Sequence, residues 1–188
     1  MVLLLGFALI VAGIAVAFRG LTLRPENDLA LNTGEFLRQQ LDARYTFIRN
    51  YNKPGVGYID AVLVGPPGVL VFRILDAQGD LLNDGANWVK RGRGESYETV
   101  RINPTNEAID DIRKLRQHFA KHRLGDVPVY GVIVFTRPDR DLRITAQTPT
   151  VPPTHLHRLM ETLKNDYFAK ERIDAARVQA AASLLMGE

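Results

Sequence analysis

The longest apolar run of the chain lies at its start, where residues 2–18 read VLLLGFALIVAGIAVAF, with no charge and no proline. At about 1.5 Å per residue, a helix of this length reaches roughly 26 Å, which approaches the ~30 Å of a bilayer core. The pattern predicts one transmembrane helix over residues 1–19. A cleaved signal peptide is the alternative, because Ala15 and Ala17 form a small-residue cleavage pattern, although no basic residue precedes the run.

Charged residues around this segment predict its orientation. Arg19 and Arg24 follow it at once, whereas no Lys or Arg precedes it. The positive-inside rule then places the rest of the chain in the cytoplasm, as the soluble part of a single-pass protein of the cell membrane. Residues 20–31 include a proline and are interpreted as a linker, and residues 32–188 have the length of one domain.

Periodicity in this domain predicts an α/β fold with a mixed central sheet flanked by helices. Asn32 and Glu35 have the spacing of a capping box, so a helix is expected to begin at Asn32. The stretch between the third strand and the next helix is interpreted as a small hairpin or a long loop. The expected strands are residues 45–50, 57–64, 68–76, 127–136 and 142–145, and the later helices are residues 103–125, 154–166 and 169–186.

Four short motifs make the domain resemble a known family. They are Gly34-Glu35 in the first helix, Asp60 in GYIDAVLVGPPGVLVF, Asn103-Pro104 before a long helix, and PVYGVIVF in the following strand. Over roughly residues 32–165, this pattern is similar to the nuclease-related domain, NERD, of the PD-(D/E)XK nuclease superfamily. The resemblance implies phosphodiester hydrolysis with Mg²⁺ or Mn²⁺, which acidic side chains hold because hard cations prefer oxygen ligands.

The family's motif is incomplete in this chain. Glu35 matches the helix acid of the family and Asp60 matches the strand acid. The third strand of the family carries an acid and, two residues later, a lysine, but here Arg73 and Leu75 occupy those two positions. A permanently charged guanidinium repels a divalent cation, and a leucine cannot stabilise a phosphate oxygen. The sequence therefore predicts a catalytically impaired domain.

The remaining acids each have a structural interpretation. Glu35 can serve as the capping-box partner of Asn32 instead of a metal ligand. Asp60 lies inside an apolar strand, where a carboxylate is costly unless it is paired or ligated. We expect an internal ion pair between Asp60 and Arg73 on adjacent strands, with the guanidinium in place of the metal ion.

Three functions remain compatible with this pattern. The first is a membrane-held binding or scaffold module, with nucleic acid or a protein as partner. The second is an active, divergent nuclease whose missing acid comes from Asp76 or Glu107, although strand alternation sends Asp76 to the face opposite Arg73. The third is a structural subunit of a membrane complex.

Two further groups of residues bear on partners. His118 and His122 have a zinc-like spacing on a helix but lack a motif acid between them. The net charge of +3 is too small to require nucleic acid. A basic cluster in the helix after Asn103 could bind phosphates, but basic residues at a helix C-terminus also complement the helix dipole. This cluster consists of Arg113, Lys114, Arg116, Lys121 and Arg123.

Overall fold

The computed structural model describes residues 28–92, 96–100 and 103–187. The helices are α1 (Asp28–Arg38), α2 (Pro104–Lys121), α3 (Leu159–Lys164) and α4 (Ala175–Met186), with a 3₁₀ turn at Leu156–Arg158. The strands are β1 (Thr46–Lys53), β2 (Gly57–Gly65), β3 (Gly68–Leu75), β4 (Gly79–Asp84), β5 (Asn87–Arg91), β6 (Tyr97–Thr99), β7 (Val129–Phe135), β8 (Leu142–Gln147) and β9 (Pro153–His155).

The central sheet has five strands in the order β1-β2-β3-β7-β9. Strands β1, β2 and β3 form an antiparallel meander, and β7 and β9 continue the sheet in parallel pairing. The expected mixed sheet is confirmed. Strand β7 lies between two neighbours, as its apolar residues on both faces predict.

Helices cover both faces of this sheet. One apolar cluster packs α2 and α4 on it, through residues such as Leu115 and Leu185. A second packs α1 and α3 on the opposite face, through residues such as Leu37 and Leu159. Arg73 lies two residues after Val71 and four after Val69, so it shares their face of the strand. Both valines belong to the first cluster, so Arg73 points to the face that carries α2.

The segment after β3 forms a second sheet, where the sequence suggested only a hairpin or a loop. Its four strands have the order β6-β5-β4-β8, and β8 returns parallel to β4. Buried Trp88 of β5 donates its indole N–H to the hydroxyl of Thr105 in α2 at 2.7 Å. This bond fixes the N-terminal turn of α2 against the second sheet, and that turn contributes to the candidate site.

Gly68 makes the close approach of β3 to β7 possible. Its φ is +121°, and a Cβ at this position would lie 2.6 Å from the Pro128 carbonyl oxygen. That same carbonyl accepts the Val69 N–H at 2.9 Å, which starts the parallel pairing of the two strands. A side chain here would separate the strands, so glycine is required.

Several expectations about boundaries are corrected. Asn32 lies inside α1, which begins at Asp28, so the capping-box prediction was wrong. The helix also takes up residues 28–31 of the range interpreted as linker. The helix expected to begin at residue 154 begins only at Leu159, as α3. The residues before it form the end of β9 and a 3₁₀ turn. Proline residues before His155 favour extended backbone there.

The predicted membrane segment, residues 2–18, lies outside the described residues. Among the helices that the structure does describe, none combines the length and the apolar character needed to cross a bilayer.

Candidate functional site

Asp60 lies at an irregular point of the central sheet. The pairing of β1 with β2 skips the residue opposite it, Asn50, whose φ of +53° is left-handed. The pairing of β2 with β3 ends one residue away, at Ala61 and Phe72. In place of that ladder, Oδ2 of Asp60 accepts the backbone N–H of Ile74 at 2.8 Å. The carboxylate is 4% exposed, so this bond satisfies a buried acceptor.

Arg73 forms an ion pair with this carboxylate. Its Nη1 lies 3.5 Å from Oδ2 of Asp60, and the two side chains are 12% and 6% exposed. Its other terminal nitrogen, Nη2, contacts Oε2 of Glu107 on α2. The ion pair expected between the adjacent strands is thus confirmed, and the guanidinium bridges it to a helix carboxylate.

Helix α2 brings two acids to Arg73. The side chain of Asn103 accepts the Asn106 N–H, and Pro104 occupies the first turn, so the helix begins where the sequence predicts. Glu107 and Asp111 follow four residues apart and therefore share a helix face. Asp111 is 6% exposed and lies in the apolar stripe with Ala108 and Leu115.

Burial raises the pKa of Asp111 to about 6, although the positive charges of Arg73 and Lys114 partly oppose this shift. The negative charges of Asp60 and Glu107 add to it. Three carboxyl groups thus lie around Arg73, and burial makes Asp111 keep its proton more readily than an ordinary aspartate. We call these four residues, Asp60, Arg73, Glu107 and Asp111, the arginine cluster.

We expect Asp111→Asn to stabilise the protein by about 1–2 kcal/mol at pH 7, because the uncharged amide avoids the desolvation of a buried carboxylate. The folded-state pKa exceeds the unfolded value of 3.8, so the aspartate costs stability above that value. The advantage should be absent below about pH 4, grow between pH 4 and 6, and stay constant above. Urea unfolding of both proteins from pH 3.5 to 8 measures it, and an equal advantage at every pH would contradict this account.

A divalent cation does not fit the arginine cluster. Oδ2 of Asp60 already accepts a backbone N–H and faces Arg73. Glu107 is likewise engaged by the guanidinium. Mg²⁺ and Mn²⁺, which the family resemblance implies, would need oxygen ligands that are here occupied by a fixed positive charge.

Other candidate residues lie apart from this cluster. Asp76 follows β3 and pairs with Arg137 at an exposed position, so it does not replace the missing acid. Leu75 packs with the apolar residues between the two sheets. Glu35 is exposed on α1, on the sheet face opposite α2, where it borders a surface depression with Arg49. Its expected capping-box role fails with the position of Asn32 inside the helix.

Asp111 was missed as a site residue. An acid in the opening turns of a helix is ordinarily explained by the helix dipole, so it attracts no attention as a site residue. The usable signal was its place four residues before Leu115, on the buried stripe of the helix.

Comparisons with known proteins test the family resemblance that the sequence motifs indicate. Two solved endonuclease structures are similar at low identity. A repair endonuclease from Pyrococcus abyssi is 11% identical with a TM-score of 0.36, and the match covers 73% of this chain and 44% of that one. The small subunit of the heterodimeric restriction endonuclease R.BspD6I is 10% identical with a TM-score of 0.37, and the match covers 87% of this chain and 82% of that one. The chain thus spans less than half of that repair endonuclease. No curated protein matches. The model of the nuclease-related domain, NERD, matches residues 27–136. This chain belongs to the nuclease-related domain family.

Proposed function

We propose that this chain is a catalytically silent nuclease-related domain that works as a binding or scaffold module at the membrane. The observation that carries the proposal is the position of Arg73, between Asp60 and Glu107. A nuclease of this family would need a metal ion at the carboxylates that the guanidinium engages.

The size of the electrostatic effect supports this proposal. At ~4 Å and an effective dielectric constant near 20, two unit charges repel by about 4 kcal/mol, so a divalent ion beside a guanidinium meets about 8 kcal/mol. Arginine cannot lower this cost by losing its proton in a protein. Arg73 is also largely buried, so it has little freedom to swing into solvent. The cation would have to displace the guanidinium from Asp60 and Glu107.

The position two residues after Arg73 adds a second argument. Leu75 lies in the apolar cluster between the sheets, with Phe135 and Leu142 as neighbours in that cluster. A lysine at this position would orient water and neutralise a phosphate oxygen. The apolar packing around Leu75 instead favours a structural role.

Membrane attachment is the second part of the proposal. Its support is the apolar sequence of residues 2–18, which is long enough to approach a bilayer core. A tethered domain without hydrolysis would act by holding a partner at the cytoplasmic face. The basic residues of α2 offer weak support for nucleic acid as that partner, because Arg113 pairs with Asp110 on the same helix.

The test incubates the full-length chain, purified in detergent, with linear, circular and single-stranded DNA and with RNA, in the presence of Mg²⁺ or Mn²⁺. We expect no metal-dependent cleavage above that of Asp60→Asn, a matched control with a neutral side chain of the same shape. Cleavage that is lost in both Asp60→Asn and Glu107→Gln would overturn the proposal and establish an active, divergent nuclease. Salt-dependent retention on DNA without cleavage identifies a nucleic-acid module, and its absence favours a protein partner or a structural subunit.

A further inference from the structure

A second cluster of polar side chains lies where the central sheet ends. Asp139 belongs to the loop between β7 and β8, His155 is the last residue of β9, and His157 lies in the 3₁₀ turn that follows. We propose that these three residues bind one transition-metal ion of the zinc class. The site is distinct from the arginine cluster and shares no residue with it.

Interatomic distances carry the first step. Oδ1 of Asp139 lies 3.3 Å from Nε2 of His155 and 3.6 Å from Nε2 of His157. All three ligand atoms lie within 4.8 Å of one another. A tetrahedral Zn²⁺ with bonds of about 2.0–2.1 Å places its ligand atoms roughly 3.3–3.4 Å apart. Two of the three separations therefore nearly match a zinc site already. Only the imidazoles must approach one another, and His157 is half exposed and free to move.

The orientation of His155 carries the second step. Its Nδ1 lies 3.0 Å from the carbonyl oxygen of Arg137, and a carbonyl only accepts, so Nδ1 is the protonated nitrogen. In the neutral ring, Nε2 then presents a lone pair to a carboxylate oxygen at 3.3 Å. A positive species between the two atoms, either a metal ion or a proton on Nε2, relieves their repulsion. Both imidazoles converge on the same oxygen, Oδ1, so one metal ion can bind all three side chains at once.

Outer contacts hold the ligands in place. Nη2 of Arg158 lies 3.0 Å from Oδ2 of Asp139, which fixes the carboxylate and leaves Oδ1 for a metal ion. Unlike the buried Arg73, Arg158 has 58% of its side chain exposed, so water screens its charge. His155 is buried, with 9% of its side chain exposed, and pairs in register with Phe135 of β7. A ligand histidine whose other nitrogen donates to a carbonyl, and a ligand carboxylate with its own hydrogen bond, are the usual supports of metal sites.

The chemistry of the donors selects the metal. Two imidazoles and one carboxylate suit Zn²⁺ and related transition ions better than Mg²⁺ or Ca²⁺, which prefer all-oxygen sites. Three protein ligands leave a fourth position for water. A bound ion would tie the loop after β7 to the end of β9, at the edge of the sheet where the parallel strands end.

Zinc binding to the full-length chain in detergent tests this proposal, by competition with a chromophoric chelator and by the visible spectrum of the Co²⁺ form. We expect one ion per chain and the intense bands of tetrahedral Co²⁺. His157→Gln should weaken Zn²⁺ binding by more than about 100-fold, since changes to outer contacts alone cost about 10- to 100-fold. Asp139→Asn should do the same. His157 is exposed, so its variant should keep the fold, which circular dichroism verifies.

The matched control is His118→Gln/His122→Gln, which removes the other close histidine pair, with ring centres 4.5 Å apart. This variant should bind Zn²⁺ as the parent does. Absence of stoichiometric Zn²⁺ binding would overturn the proposal. So would binding that survives in His157→Gln and is lost in the control. These outcomes are independent of any nuclease assay, so they separate the metal site from the proposed function.

Discussion

Arg73→Met should lower the free energy of unfolding by about 3–5 kcal/mol at neutral pH. The variant keeps an apolar stem of similar length but removes the guanidinium beside the buried carboxylate of Asp60, which accepts the Ile74 N–H. Removing one partner of a buried ion pair costs this much because the other charge stays desolvated. Guanidinium chloride unfolding of the full-length protein measures the change.

Two comparisons make this result specific. Asp60→Asn/Arg73→Met removes both charges and should recover most of the loss, since replacing both partners of a buried pair is often nearly neutral. Arg113→Met removes an exposed arginine of α2 that pairs with Asp110 and should change stability by less than about 0.5 kcal/mol. Equal effects of Arg73→Met and Arg113→Met would refute the buried ion pair.

Arg73→Asp should make the stability of the fold depend on a divalent cation. The substitution would gather carboxylates at Asp60, Glu107 and Asp111 without a guanidinium, and their mutual repulsion is relieved when a cation binds. A ligand at 100 times its dissociation constant raises the free energy of unfolding by about 2.7 kcal/mol. We expect Mg²⁺, which prefers oxygen ligands and therefore binds little at the proposed zinc site, to raise the melting temperature of this variant and leave the parent unchanged.

Arg73→Asn is the matched control for that experiment, because it removes the guanidinium and adds no carboxylate. A smaller response to Mg²⁺ is expected for it. The contrary result is a melting temperature of the parent that rises with Mg²⁺ as much as that of Arg73→Asp. Such a result would mean that Arg73 does not exclude the cation, and it would remove the main support for a silent domain.

Much of the site followed from strand alternation and from the cost of buried charge. An acid within the apolar strand at Asp60 requires a partner, and Arg73 is the basic residue within the next strand, so the pair could be predicted from residues alone. The family motifs gave the same two positions. Local signals were sufficient because β2 and β3 are joined by a tight turn that fixes their register.

Other features depend on contacts between distant segments. The second sheet joins residues 79–99 to β8 by parallel pairing, such as Gly79 with Leu142, and the sequence of β4, GDLLND, does not alternate between apolar and polar residues. The proposed metal site likewise depends on distant segments, because it brings Asp139 of the loop after β7 to His155 and His157 at the end of β9. The start of α1 was misplaced because Asn32 and Glu35 have a capping spacing that also occurs by chance inside helices.

The parallel pairing of β3 with β7 has a consequence for synthesis of the chain. Leu75 ends β3, and the residue that bonds to its carbonyl, Thr136, comes 61 residues later. At about 5–20 residues per second, a ribosome needs roughly 3–12 s to make that interval. During this time the meander of β1 to β3 presents an apolar, unpaired edge, which is a template for aggregation.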